Sequence, residues 1–75
     1  MPKKTEMEKR IAKAEAKANL DASDIRDLAM NVHQKTMTDE QVAQVLEEYP
    51  EEQETDPTGT WDLVVDNLLH NVFNS

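Results

Sequence analysis

The two histidines, His33 and His70, are the first candidates among the side chains that could do chemistry. No H-x-x-H or H-E-x-x-H spacing links His33 to His70, and the chain contains no cysteine. A zinc site would therefore have to recruit carboxylates from distant positions. Both histidines fall near the predicted C-terminal ends of helices, where a positive imidazole interacts favourably with the helix dipole. We interpret both as structural and predict no metal site and no cofactor.

A run of carboxylates is the second candidate. Its members are Glu47, Glu48, Glu51, Glu52, Glu54 and Asp56. The run lacks the alternating acidic ligands and the sharp glycine turn of an EF-hand loop, so we expect no specific calcium site. Two interpretations stay open. The run is either a solvated, mutually repelling loop or a surface that recognises a basic partner.

Catalytic motifs are absent from the sequence. The two serines, Ser23 and Ser75, lie in no G-x-S-x-G motif, and there is neither a glycine-rich phosphate loop nor a nucleotide fingerprint. The single glycine, Gly59, fits the last position of a type I turn over residues 56–59. Without cysteine there is also no thiol nucleophile. We therefore predict that the protein is not an enzyme.

Charge is distributed unevenly along the chain, whose formal net charge is -8. Residues 1–18 carry six Lys or Arg against three Glu, whereas residues 19–75 carry two basic side chains against thirteen acidic ones. Such a surface should repel nucleic acid and anionic membrane over most of its area. No apolar run follows the basic start and no segment approaches membrane-spanning length. We expect a cytoplasmic protein with no membrane partner.

The elements that position these residues begin with the most apolar stretch, residues 58–73. The spacing i, i+3, i+4, i+7, i+8, i+11 predicts a helix near residues 60–73 whose broad apolar face organises the core. That face consists of Trp61, Val64, Val65, Leu68, Leu69 and Val72. Leu63 projects almost opposite the face and Phe73 lies to one side. Both need cover from the N-terminal helix, a second copy of the chain or a different protein.

Residues 5–18 are rich in Ala, Glu and Lys and predict an N-terminal helix. Its basic arc consists of Lys9, Arg10, Lys13 and Lys17, and its apolar stripe of Met7, Ile11, Ala14 and Ala18. Because this stripe buries little area, we expect the helix to pack loosely, to fray or to swap onto a second copy. The basic arc is either solvated or in contact with an acidic partner or with the chain's own acidic face.

Start signals predict two more helices. Asp21 fits an N-cap for a helix over residues 21–35, and Thr38 and Gln41 have the spacing of a capping box for a helix over residues 38–49. Pro50 should end the latter and leave the carboxylate run in a loop. The inward faces are Ile25, Leu28, Ala29 and Val32 on the first helix and Val42, Val45, Leu46 and Tyr49 on the second.

Together these elements predict an all-α fold. We expect a small three-helix bundle over residues 21–35, 38–49 and 60–73 with an additional, loosely packed or swapped N-terminal helix. By charge we divide the chain into a basic N-terminal helical arm, residues 1–20, and an acidic helical bundle domain, residues 21–75.

The leading functional hypothesis is a small non-enzymatic protein-interaction module that binds another protein or a second copy of itself. Its apolar contacts would be Met7, Ile11, Leu63 and Phe73. Direct DNA reading by a helix-turn-helix is rejected, because the helix after the short link at Met37 carries four acidic side chains and no basic one.

The alternative is an acidic inhibitor that mimics nucleic acid and occupies the basic groove of a nucleic-acid-binding protein. The carboxylate run, Glu47 to Asp56, would then be the binding surface. Acidic, short, all-helical chains occur among phage and mobile-element inhibitors of this kind. The likeness is to that class, and no motif in this sequence identifies a family.

Overall fold

The helix α3, Asp39–Thr55, lies at the centre of the structure. In this computed structural model, which describes residues 6–55 and 57–74, it is preceded by α1, Glu6–Ala18, and α2, Ala22–Leu28, and followed by α4, Trp61–Phe73. A π-helical turn, Ala29–His33, continues α2. The helices α1, α2 and α4 all pack against α3. The predicted all-α bundle is therefore confirmed, and the described residues contain no strand.

The side chains that α3 buries explain how it contacts three neighbours. Its predicted stripe, from Val42 to Tyr49, is buried as expected. Ala43, which the predicted stripe does not include, is fully buried as well. Since Ala43 lies about 100° around the helix from Val42, it extends the buried surface onto a second side of α3. The helix α4, which we expected to organise the core, is one of three elements packed around α3.

The helix α1 packs along α3 and contributes to the core. Ala14 and Ala18 belong to the buried cluster, and Ile11 packs against it from a half-buried position. The loose or swapped packing expected from the thin apolar stripe is therefore not observed. Small side chains at a helix contact allow the two axes to approach closely, so the alanines suffice. The division of the chain at residue 20 stays a prediction.

The N-terminus of α2 is capped from α1. Asp21 occupies the N-cap position with extended backbone, as predicted, but its side chain makes no capping hydrogen bond. The backbone N–H of Ala22 donates instead to Oε2 of Glu15 at 2.7 Å. A carboxylate of α1 thus satisfies a first-turn amide of α2, which also places it near the positive end of the α2 dipole.

The end of the second helix departs from the predicted α-helix over residues 21–35. A π-helical turn uses i→i+5 hydrogen bonds, so one extra residue enters the turn and the side chains after it rotate about the axis. Val32, which we predicted to be buried, is 55% exposed, whereas His33 is half-buried. The segment ends at Gln34, whose backbone is left-handed.

The capping box of α3 is confirmed. The N–H of Thr38 donates to Oε1 of Gln41 at 2.9 Å, and the N–H of Gln41 donates to Oγ1 of Thr38 at 3.2 Å. Each residue satisfies an amide that would otherwise have no partner in the first turn. Arg26 of α2 braces the same end by donating to the carbonyl of Met37 at 3.0 Å.

Pro50 does not end α3, which continues to Thr55. Proline removes one backbone hydrogen bond and crowds the preceding turn, at a cost of about 3 kcal/mol. The residues after it, EEQE, have high helix propensity, and Tyr49 is packed in the core immediately before it. The predicted loop over the carboxylate run is therefore wrong as far as Thr55. Asp56 lies outside the described residues, and Pro57 and Thr58 form a turn.

Trp61 is the one member of the predicted α4 face that is not buried. The other five are buried as predicted, from Val64 to Val72, but Trp61 is 41% exposed. Its angular position lies about 40° from that of Val65, within the buried face. It is, however, the first residue of α4, and the cover that the neighbouring helices provide does not reach it. The prediction that Trp61 is buried with the rest of this face is wrong.

The capping box predicts a specific pair of stability changes. Thr38→Ala should lower the free energy of unfolding by about 1 kcal/mol, because an amide of the first turn loses its side-chain acceptor. Thr38→Asp should be nearly neutral, since aspartate caps equally well. Urea denaturation followed by circular dichroism measures both. Equal midpoints for Thr38→Ala and wild type would show that the cap does not stabilise α3.

The burial pattern predicts an unequal response to truncation of two large side chains. Leu46→Ala, at the centre of α3, should cost about 2 to 5 kcal/mol through lost burial and a residual cavity. Trp61→Ala should cost less than about 2 kcal/mol, because a large part of the indole already contacts water. Thermal unfolding compares the two, and a larger loss for Trp61→Ala would contradict the exposed position.

Candidate interaction surfaces

Four large apolar side chains are exposed among residues 6–55 and 57–74. They are Met30 and Val32 on the π turn, at 46% and 55%, and Trp61 and Leu63 at the start of α4, at 41% and 58%. Of the apolar contacts predicted from the sequence, only Leu63 is among them. Met7, Ile11 and Phe73 are half-buried, and the last two pack against the core.

His33 joins the π turn to α4. Its Nε2 lies 2.7 Å from Oδ1 of Asp66, and its ring meets the ring of Phe73 edge-on at a centroid distance of 5.4 Å. Nζ of Lys35 lies 5.1 Å from the centroid of the Phe73 ring, within the range of a cation–π contact. Phe73 thus receives part of its cover from within the chain. The sequence predicted only an interaction of His33 with the helix dipole and did not predict this contact with α4.

Leu63 lies on the same side of α4 as the His33 contact. Leu63, Asp66, His70 and Phe73 follow i, i+3, i+7, i+10 spacing, which places them on one stripe away from the buried face. His33 covers the part of the stripe at Asp66 and Phe73. Leu63 lies one turn before Asp66 and stays 58% exposed. Val32 directly precedes His33 in the sequence, so the two exposed side chains Val32 and Leu63 are each close in sequence to one member of the His33–Asp66 pair.

The carboxylate of Asp62, next to Leu63, caps the first turn of α4. Thr60 takes the predicted N-cap position but makes no capping bond to the backbone, and its hydroxyl donates to Asp62 instead. That hydrogen bond, followed by those from the N–H groups of Asp62 and Leu63, lowers the pKa of Asp62. A negative charge is thus stabilised at the positive end of the α4 dipole.

Between α1 and α3, Arg10 forms a bidentate ion pair with Glu47. Nε of Arg10 donates to Oε2 at 2.9 Å and Nη2 donates to Oε1 at 2.6 Å. The Arg10 guanidinium lowers the pKa of Glu47 below its usual range, with smaller help from the charge of Lys17. For Arg10, the structure thus agrees with the interpretation that the basic arc meets the chain's own acidic face.

A groove with excess positive charge surrounds this pair between α1 and α3. Arg10, Lys13 and Lys17 line it together with Glu47, and Ala14 forms part of its wall. Within the described part of the chain, no carboxylate lies within ion-pair distance of Lys13 or Lys17. Within the described residues, the groove therefore contains the ammonium groups of Lys13 and Lys17 without an ion-pair partner, next to the Glu47 carboxylate that Arg10 already binds.

The other carboxylates of the predicted run lie on the exposed side of α3. Glu48, Glu51, Glu52 and Glu54 are all exposed, and residues 6–55 and 57–74 show no ion pair to any of them. Asp56, the last member, lies outside the described residues. Since α3 continues through Pro50, these carboxylates are spaced by the helical rise of 1.5 Å per residue and do not form a flexible loop.

Two other kinds of feature are absent from the described residues. No group of three His, Asp or Glu side chains is arranged to hold a metal ion in the described ranges. None of the helices described has the length and apolar character that crossing a membrane would require.

The Arg10–Glu47 pair predicts a pH-dependent contribution to stability. The folded pKa of Glu47 is below its ordinary value of 4.5, so the stabilisation is complete above that value and is lost as pH falls through the lowered folded pKa. Glu47→Gln should therefore melt below wild type at neutral pH, and the difference should vanish in strong acid. Thermal melts across the acid range measure this difference.

The matched control is Glu48→Gln, which removes the same charge from an exposed neighbour that has no ion pair in the described chain. It should melt close to wild type at neutral pH. A difference between Glu47→Gln and wild type that is unchanged from neutral to strongly acidic pH would show that the effect is not ionic.

The chain was compared with protein-family models, with curated proteins and with solved structures. None of the three comparisons found a match.

Proposed function

We propose that the chain is a small non-enzymatic protein-interaction module that binds its partner through apolar side chains beside the His33–Asp66 contact. The partner is another protein or a second copy of the chain. The observation that carries the proposal is the exposure of Leu63, at 58%, on a helix whose other leucines and valines are buried. Val32, at 55% exposure, directly precedes His33 in the sequence.

The local geometry supports a defined binding surface. His33 fixes the π turn to α4 through a side chain that is only 19% exposed. Val32 is the residue before His33, and Leu63 lies one turn before Asp66. The contact between His33 and Asp66 therefore holds together the two segments that carry these apolar side chains. Apolar side chains displayed on held segments lose little conformational freedom on binding, which lowers the cost of association. We name Met30, Val32 and Leu63 the seam residues.

The size of the molecule sets the extent of such an interface. A standard interface buries about 800 Å² per partner, which is roughly 15% of the 5309 Å² of accessible surface of this chain. The seam residues alone do not reach that area. The proposed interface therefore extends over the π turn and the adjoining outer side of α4, with the exposed leucine and valine as its apolar centre.

The non-enzymatic and cytoplasmic parts of the proposal come from the sequence. No nucleophile and base motif, phosphate loop or cysteine is present to support catalysis. The cytoplasmic location is likewise an expectation from the sequence alone.

The second candidate is the acidic inhibitor that mimics nucleic acid, and one observation favours it. The helical continuation of α3 through Pro50 holds Glu48, Glu51, Glu52 and Glu54 on one rigid element. Ordered carboxylates can match the basic groove of a nucleic-acid-binding protein better than a flexible loop can, because less conformational freedom is lost. Glu47 is less suited to this role, since Arg10 already binds both of its oxygens.

Substitutions that change one surface at a time distinguish the two candidates. Leu63→Asn removes the apolar side chain without adding charge and should weaken binding by about 1.5 to 3 kcal/mol, or roughly 10- to 100-fold. For a partner that is a different protein, reversal of Glu48, Glu51 and Glu52 to Lys should change binding little. The dissociation constant is measured with the partner captured from the native cell and then purified. Self-association through Leu63 is measured by sedimentation of Leu63→Asn alone.

The control for Leu63→Asn is Asn71→Ser, a neutral change at another exposed position of α4, which should bind like wild type. The inhibitor candidate requires the reverse pattern, in which the lysine reversals abolish binding and Leu63→Asn does not affect it. If both sets of variants bind like wild type, neither surface is the binding site.

A further inference from the structure

The groove between α1 and α3 has cationic side chains available to bind a negatively charged group in addition to Glu47. Arg10, Lys13 and Lys17 line it at i, i+3, i+7 spacing, and the only negative side chain in its lining is Glu47. Both oxygens of Glu47 are bound by Arg10. The exposed ammonium groups of Lys13 and Lys17 have no carboxylate within ion-pair distance in the described chain.

The chain also supplies the chemistry that this groove accepts. Glu47 shows that a glutamate presented by an α-helix fits between the basic side chains of α1, and its lowered pKa shows that its negative charge is stabilised there. Glu48, Glu51 and Glu52 follow on the same helix, are exposed, and have no ion pair among residues 6–55 and 57–74. A cationic groove and a helical row of carboxylates are thus both unsatisfied on one molecule.

From this complementarity we infer that the α1–α3 groove of one molecule binds the carboxylates of Glu48, Glu51 and Glu52 in a second copy of the chain. The partner is a second copy because the row carries the same residue type, on the same kind of element, as the glutamate that the groove already holds. In a two-fold dimer each molecule would contribute one groove and one row, so that every contact forms twice. This surface lies on α1 and α3 and is separate from the seam residues.

The net charge of -8 opposes such an association at long range. At about 0.1 M salt the Debye length is about 10 Å, so charges far apart on the two molecules are largely screened, whereas charges in direct contact are screened less. Individual exposed ion pairs contribute little, so we expect a weak dimer whose fraction rises with protein concentration.

Charge reversal tests the inference by sedimentation equilibrium of the full chain. Lys13→Glu/Lys17→Glu should raise the dissociation constant of the dimer by at least about tenfold. Glu51→Lys/Glu52→Lys should do the same, although it removes two negative charges and adds two positive ones and so halves the net charge from -8 to -4. Reduced overall repulsion by itself predicts the opposite change for this second variant.

An equimolar mixture of the two variants provides the decisive measurement. Each reversed groove then faces a reversed row, and each native groove faces a native row, so the mixture should dimerise with a dissociation constant within about threefold of wild type. Lys9→Glu, a reversal on α1 outside the groove lining, is the control and should dimerise like wild type. Circular dichroism checks that all variants keep the helical fold, and Glu48→Lys/Glu52→Lys replaces the acidic variant if it unfolds.

Several outcomes would overturn the inference. They are a wild-type chain that stays monomeric at every concentration, an acidic variant that associates more strongly than wild type, and a mixture that associates no better than its components. Dimerisation that survives both reversals but is lost in Leu63→Asn would also overturn it while supporting self-association through the seam residues. The two proposals therefore fail independently.

Discussion

The packing around α3 is the constraint on which the rest of the structure depends. A chain of 75 residues has few large apolar side chains, and a small domain buries a limited share of its surface. Burial of both the stripe from Val42 to Tyr49 and the adjacent Ala43 lets α3 contact α1 on one side and α4 on another. Because α3 is buried on more than one side, this one helix provides core contacts that a larger domain would obtain from additional buried side chains.

The position of α3 also explains why its helix continues past Pro50. Tyr49 is 3% exposed, and its packing fixes the last turn before the proline. The Glu and Gln residues that follow favour helix and remain in water. The carboxylates after Pro50 are consequently presented on an ordered element. The acidic surface and the groove that faces α1 are two results of this single helix.

The π turn has a comparable effect at the other side of the molecule. By rotating the end of the second helix, it brings His33 onto Asp66 and Phe73 of α4 and turns Val32 outward. A regular α-helix with the predicted register would have kept Val32 in the core. One extra residue in a single turn therefore produces both a polar tertiary contact and an exposed apolar side chain beside it.

The sequence by itself determined the fold class, the number of helices and most of their starts, because these depend on local periodicity and capping. The buried stripes of α3 and α4, the exposed Leu63 and the capping box of Thr38 and Gln41 all followed from spacing alone. Tertiary structure decided the close packing of α1, the π turn, the continuation through Pro50, the exposure of Trp61 and the Arg10–Glu47 pair. These features arise between residues far apart in sequence, or from a balance between local propensity and packing, so residue spacing within one helix carries no signal for them.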